Sequence, residues 1–169
     1  MFERRGVCLA IFDEDFGPTS VYFKGIDKEA ADKIALKTMV GAVALSHHVE
    51  EGESIIPIQE QRRTAFVYYF SIPDEKARGG ERVGTLSFVV DQEENESLYR
   101  FAPVLSENSK KIVQEVKKHY IHRQPPPQAL KDSADSLLSI QDFEKELAKK
   151  NRKKHNQTHP KTRKKDLVT

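Results

Sequence analysis

The chain has 169 residues, of which 28 are Lys or Arg and 26 are Asp or Glu, giving a formal net charge of +2. This length allows one domain with an appendage and excludes two domains of ordinary size. No apolar run approaches the roughly 20 residues that span a bilayer. Cys8 is the only cysteine, which excludes an intrachain disulfide and a zinc module built on several cysteines, and fits the reducing cytosol.

The charge is divided unevenly along the chain. Residues 123–169 carry twelve basic and six acidic side chains, whereas residues 1–122 carry 16 basic and 20 acidic ones. The two regions meet at Pro125-Pro126-Pro127, and consecutive prolines favour a stiff, extended spacer. We therefore predict a domain over residues 1–122, a proline-rich hinge over 123–128, a short amphipathic helix over 129–150 and a basic, disordered tail over 151–169.

The first half of the predicted domain is a hairpin followed by a helix. The run Val7–Phe12 is apolar or small at every position, which is typical of a strand buried on both faces. Asp13–Pro18 has the composition of a turn, and Thr19–Lys24 favours a second strand. Asp27 is a suitable N-cap for a helix that we expect to run to about His48.

The second half is predicted to hold three strands and a long helix. The strands cover Ser54–Gln61, Thr64–Ile72 and Arg82–Val90, with a glycine-containing loop before the last of them. Apolar residues spaced by three and four predict a helix over Asn95–Ile121, where Pro103 predicts either a kink or two helices. The sequence thus predicts an α+β domain with a five-stranded antiparallel sheet and helices packed on it.

The element order and one hairpin resemble the start of longin domains. The segment is Val7-Cys8-Leu9-Ala10-Ile11-Phe12-Asp13-Glu14-Asp15-Phe16-Gly17-Pro18-Thr19-Ser20-Val21-Tyr22-Phe23. In longin domains the first strand ends in a turn, often with Gly-Pro, and a second strand follows. The resemblance covers residues 5–121. Roadblock domains begin with a helix, whereas Gly6–Phe12 is a predicted strand; profilin-like folds are a further alternative.

The resemblance implies a non-enzymatic platform without a cofactor that works in membrane traffic or small-GTPase regulation. The implied partners are a small GTPase, another longin or roadblock subunit, or a second copy in a homodimer. The implied location is the cytoplasm, including the periphery of membranes. Residues 129–150 are too short for the long heptad helix of a SNARE. We expect partner contact through an apolar stripe of the first helix, formed by Ala31, Ile34, Thr38, Ala42 and Leu45.

Other residue clusters have the composition of chemical sites, but we predict neither a catalytic nor a metal site. His119 and His122 have a ligand spacing, as do His155 and His159, yet histidines in a last helical turn also interact favourably with the helix dipole. Asp13-Glu14-Asp15 lacks the distal Glu of a calcium loop. The loop Arg78–Arg82 precedes a predicted strand, whereas a P-loop enters a helix.

Two features leave nucleic acid as the alternative partner. Aromatic residues alternate along Thr64–Ile72, as in sheets that stack RNA bases, but the domain is net acidic and helices on the sheet would bury the rings, so we expect core packing. The basic tail suits an anionic membrane surface, nucleic acid or bulk solvent. Its nine cations are Lys149, Lys150, Arg152, Lys153, Lys154, Lys161, Arg163, Lys164 and Lys165.

Overall fold

The structure is a computed structural model that describes residues 5–45 and 51–121. It also describes a few positions farther along the chain, all with helical backbone: Gln128, Lys131, Asp132, Asp135, Ala148, Lys149 and residues 151–153. The hinge at 123–127 and most of the predicted helix and tail lie outside the described residues. The domain boundaries drawn from the sequence therefore stay predictions.

Five strands and two long helices make up the described domain. In chain order these are β1 (Arg5–Asp13), β2 (Gly17–Lys24), α1 (Lys28–Leu45), β3 (Gly52–Ile58), β4 (Arg63–Pro73), β5 (Glu81–Asp91) and α2 (Asn95–Ile121). This order confirms the predicted α+β domain.

The strands form one antiparallel sheet with the order β2-β1-β5-β4-β3. β1 pairs with β2 on one side and with β5 on the other, so it lies inside the sheet, as its continuous apolar run predicted. β2 and β3 are the two edges. Pro57 lies on edge strand β3, the kind of strand on which proline is tolerated.

The two faces of the sheet carry side chains of different size. The face under α2 is built from large residues: Val7, Leu9, Ile11, Phe66, Tyr68, Phe70, Ile72, Leu86, Phe88 and Val90. The face under α1 contributes Cys8, Ala10, Ala65, Val67 and Val89 to a smaller cluster. Alternate residues of a strand point to opposite faces, so each strand supplies both clusters.

Two details differ from the sequence-based expectation. The strand predicted over Ser54–Gln61 ends at Ile58, and Gln59–Gln61 form a single turn of 3-10 helix. Arg62 then adopts a left-handed backbone with φ of 51°, which turns the chain into β4. The second difference concerns α2, which is one helix over Asn95–Ile121 with Pro103 inside it, so the alternative of two helices was wrong.

The aromatic core leaves no room for a side chain at Gly84. A Cβ atom built there would lie 2.4 Å from Cζ of Phe70 and 3.0 Å from Cδ1 of Ile11. We expect Gly84→Ala to lower the free energy of unfolding by about 1–3 kcal/mol, as measured by urea denaturation, because the core is overpacked. The same change in a Phe70→Leu background should cost less. Equal costs in both backgrounds would contradict the clash.

Candidate interaction surface

The stripe of α1 that was expected to contact a partner faces the sheet instead. Ala31, Ile34 and Thr38 each have 0% of their surface exposed. These three side chains are core residues, which corrects their assignment to a partner-binding face. An apolar stripe on a helix is first of all the face that packs on the core. Ala42 and Leu45 belong to α1, but their side chains lie outside the description.

Thr38 makes a buried polar contact between α1 and the sheet. Its hydroxyl donates to the carbonyl of Ala35 at 3.2 Å, and its oxygen lies 3.1 Å from the hydroxyl of Thr85 on β5. Either hydroxyl can be the donor in the contact between the two threonines. Both threonines are fully buried, so this hydrogen bond fixes where α1 lies on the sheet.

Polar contacts on both flanks hold the N-terminal half of α1. Asp27 accepts the N–H of Ala30 at 2.7 Å, which confirms the predicted N-cap. Toward β2, Asp32 accepts from Ser20 at 2.5 Å and from Lys28 at 2.7 and 2.8 Å. Hydrogen bonds from Lys28 and then Ser20 lower the pKa of Asp32. Toward β3, Lys37 donates to Glu60 at 3.0 Å.

The side of α1 that faces away from the sheet exposes two apolar residues. Leu36 is 54% exposed and Val40 is 59% exposed. They lie one helical turn apart, so they form a single patch, called here the Leu36–Val40 patch. Sequence reasoning missed these residues because they fall outside the stripe spaced from Ala31. Leu36 and Val40 lie opposite Ile34 on the helix, and this position identifies them as exposed only when the side of Ile34 is known to pack on the sheet.

The neighbouring edge strand β3 is anchored at its start by a buried tyrosine. Glu51 accepts from the hydroxyl of Tyr68 at 2.8 Å and pairs with Lys117 of α2. The hydrogen bond from Lys117 is the main cause that lowers the pKa of Glu51. Burial, followed by the bond to Glu51, raises the pKa of Tyr68 to about 12. These contacts connect β3 to β4 and α2.

The residue clusters whose composition resembled chemical sites make contacts that hold turns and loops of the fold together. Asp13 accepts the N–H groups of Asp15 and Phe16, and these bonds lower its pKa. The carboxylate of Glu14 accepts the N–H of Arg78, so the turn and the β4–β5 loop are joined. Burial raises the pKa of the Cys8 thiol to about 12. Within residues 5–45 and 51–121, no three or more His, Cys, Asp or Glu side chains are grouped to hold a metal ion.

The two features that suggested nucleic acid are the aromatic residues of β4 and the cations of the tail. Phe66 and Phe70 are buried beneath α2, so they are core residues and do not form an open base-stacking platform. Lys149, Arg152 and Lys153 are exposed on helical backbone. The other six predicted tail cations lie outside the described residues, as do His122, His155 and His159. In the described part of the chain, no helix is long and apolar enough to cross a membrane.

A comparison with models of protein families identifies the family of the chain. The family model described as folliculin, a vesicle coat protein involved in Golgi to plasma membrane transport, matches residues 33–168. The chain belongs to the folliculin family. The match begins inside α1 and continues through most of the region beyond α2. A search of the curated proteins gives no significant match.

The solved structures that match the chain include the K. lactis Lst4 longin domain. The identity is 12%, the TM-score is 0.53, and the alignment covers 80% of this chain and 97% of that one. Because the identity is so low, the similarity is evidence about the fold alone. Together with the sheet order and the positions of the two helices, it confirms the longin-like fold that the hairpin predicted.

The contribution of Thr38 to the stability of the core can be measured without a binding partner. We expect Thr38→Val to lower the free energy of unfolding by about 1–3 kcal/mol, because the buried hydroxyl of Thr85 loses this hydrogen-bond partner. Adding Thr85→Val should recover part of this loss, and Thr38→Ser should retain most of the stability. The measurement is chemical denaturation of all three variants. A Thr38→Val variant with unchanged stability would contradict the structural role.

Acid should selectively weaken the contact between β3 and α2. The pKa of folded Glu51 lies below its ordinary value, so its stabilising effect is present above that value and is lost as the pH falls through the folded pKa. We expect Glu51→Gln to lower the free energy of unfolding by about 1 kcal/mol at pH 7. The difference should shrink as the pH falls through the lowered pKa of Glu51. The control is Glu53→Gln on the same strand, and a pH-independent difference would contradict this account.

Proposed function

We propose that this protein is a non-enzymatic protein-interaction platform in membrane traffic or small-GTPase regulation. The observation that carries the proposal is the Leu36–Val40 patch on the outer side of α1 of a longin-like domain. The description of the matched family adds the setting of vesicle transport. The proposed location is therefore the cytoplasm, with association at membranes.

The patch has features of a docking surface. Its two side chains leave apolar area in water that a partner would cover, and burying the exposed half of each is worth about 1 kcal/mol. The helix that carries it is attached to the sheet, because Asp32 bonds to Ser20 of β2 and Thr38 bonds to Thr85 of β5. A preorganised helix loses little conformational entropy when a partner binds. The partner is proposed to be a small GTPase or another longin or roadblock subunit.

The neighbourhood of the patch extends it toward the β3 edge. Lys37 on α1 pairs with Glu60, which follows β3, and the amide of Gln61 donates to the carbonyl of Ala30 at 3.4 Å. The outer side of α1 and the end of β3 are therefore adjacent. A partner covering Leu36 and Val40 would also reach these charged groups, which supply orientation more than affinity.

The charged groups of the described residues support binding more than catalysis. Asp32, Glu51 and Asp74 are each engaged by a cation at hydrogen-bond distance, and in each case the pKa is lowered. A general base needs a pKa near the working pH, and these carboxyl groups are shifted away from it. Their contacts connect elements of the fold.

Replacing the patch should remove partner binding without unfolding the protein. We expect Leu36→Glu/Val40→Glu to weaken binding at least tenfold, because the partner would bury two charges in place of two apolar groups. The measurement is capture from native lysate on the immobilised full chain, with mass spectrometric identification and the affinity then determined for the purified partner. Circular dichroism should show an unchanged fold.

Tyr99→Glu is the matched control. Tyr99 is an exposed apolar residue on α2, on the opposite side of the sheet, so its replacement should leave partner binding intact. Retention of a small GTPase or a longin or roadblock subunit by the patch variant would contradict the proposed surface. Capture that disappears on nuclease treatment would instead favour nucleic acid as the partner.

A further inference from the structure

The Leu36–Val40 patch is bordered on its own helix by two lysines. Lys33 and Lys37 are one turn apart, and each lies three residues before one of the two apolar residues. Helix positions three and four residues apart are neighbours on the surface. The four residues therefore form one group on the outer side of α1, made of two apolar side chains and two cations.

Each lysine is held by an acid that lies outside this group. Lys33 donates to Glu29 at 2.5 Å, one turn toward the start of α1, and this hydrogen bond raises the pKa of Lys33. Lys37 donates at 3.0 Å to Glu60, which lies in the 3-10 turn after β3. An ammonium group has three N–H donors, and each of these contacts uses one. Both lysines therefore have further donors for the acceptor atoms of a partner.

A third acid beside the patch is engaged by the domain itself. Asp32 lies one turn before Leu36, and its carboxylate accepts from Ser20 of β2 and from Lys28. Its oxygens are thus used in the contact between α1 and the sheet. The charged groups that border the patch and face a partner are the two lysines and, beyond them, the two glutamates to which they bond.

A uniformly charged surface would gain little from this border. The side chains of Glu29 and Glu60 are 79% and 66% exposed. An anionic membrane or a nucleic acid would therefore be repelled by two acids while it is attracted by two lysines. A folded protein, in contrast, can place acids opposite the lysines and bases opposite the glutamates. Complementary patterns of this kind select one partner over others.

We propose that the partner at the Leu36–Val40 patch is a protein surface with an apolar centre and a border of carboxylates that meet Lys33 and Lys37. Basic side chains of the partner lie farther out, opposite Glu29 and Glu60. The inference rests on the proposed function and adds the chemistry of the partner's surface. The apolar centre supplies most of the affinity, whereas the charged border sets the orientation and the rate of association.

Exchanging the charges within one ion pair tests this pattern. Glu29→Lys/Lys33→Glu keeps the net charge of the chain and an ion pair at the same helical spacing. The probe is the protein that the immobilised full chain retains from native lysate and that the Leu36→Glu/Val40→Glu variant does not retain. We expect the exchange to weaken its binding about tenfold, because each exchanged charge would face a like charge. Surface plasmon resonance with the purified probe measures the affinity.

Glu107→Lys/Lys111→Glu is the matched control. This ion pair has the same spacing on α2, on the opposite side of the sheet, so its exchange should leave binding unchanged. Equal effects of the two exchanges, or no effect of Glu29→Lys/Lys33→Glu, would overturn the inference and leave the proposed function intact.

Vesicles and DNA test the other classes of occupant. The full chain should not bind phosphatidylserine vesicles or single-stranded DNA through the patch. Binding of either that is lost in Leu36→Glu/Val40→Glu would overturn the inference. If no protein is retained through the patch, the proposed function fails and the inference fails with it.

Discussion

The fold depends on the position of β1 inside the sheet, where its alternate residues must fit two different core clusters at once. Leu9 points to the face of large side chains, and Cys8 and Ala10 point to the face of small ones. Small side chains bring α1 close to the sheet, close enough for Thr38 to reach Thr85 on β5. The large side chains on the other face pack in one cluster with residues of α2. Because a shift of one residue would exchange the two sets, the register of β1 is strongly specified.

The edges of the sheet are held by polar contacts with the helices. Ser20 on β2 bonds to Asp32 of α1, and Glu51 before β3 pairs with Lys117 of α2. Each edge is thereby attached to a helix on a different side of the sheet. Such contacts contribute modestly to stability one by one, but their geometry restricts where a helix can lie. The outer side of α1 is consequently presented in one fixed orientation, which a docking surface needs.

The strands, the hairpin and both long helices could be predicted from the sequence because each depends on local patterns. Asp27 as N-cap and the double-sided apolar run of β1 are such patterns. The surface could not be predicted in the same way. Apolar spacing along α1 identifies the face with the most apolar residues, and that face packs on the core, so Ile34 was taken for a contact residue. Leu36 and Val40 could be recognised as a surface patch only once the structure showed that the opposite side of α1 packs on the sheet. The end of β3 at Ile58 was missed because Arg62, without being glycine, adopts a left-handed backbone.

The proline-rich hinge shows why a stiff spacer does not by itself imply an independent tail. Proline cannot continue a helix, and consecutive prolines favour a stiff, extended spacer. The ion pair between Lys24 and Asp135 is exposed and weak on its own. It nevertheless brings Asp135, which follows the three prolines in the chain, to edge strand β2 of the sheet. A stretch of prolines therefore does not by itself separate the residues after it from the domain.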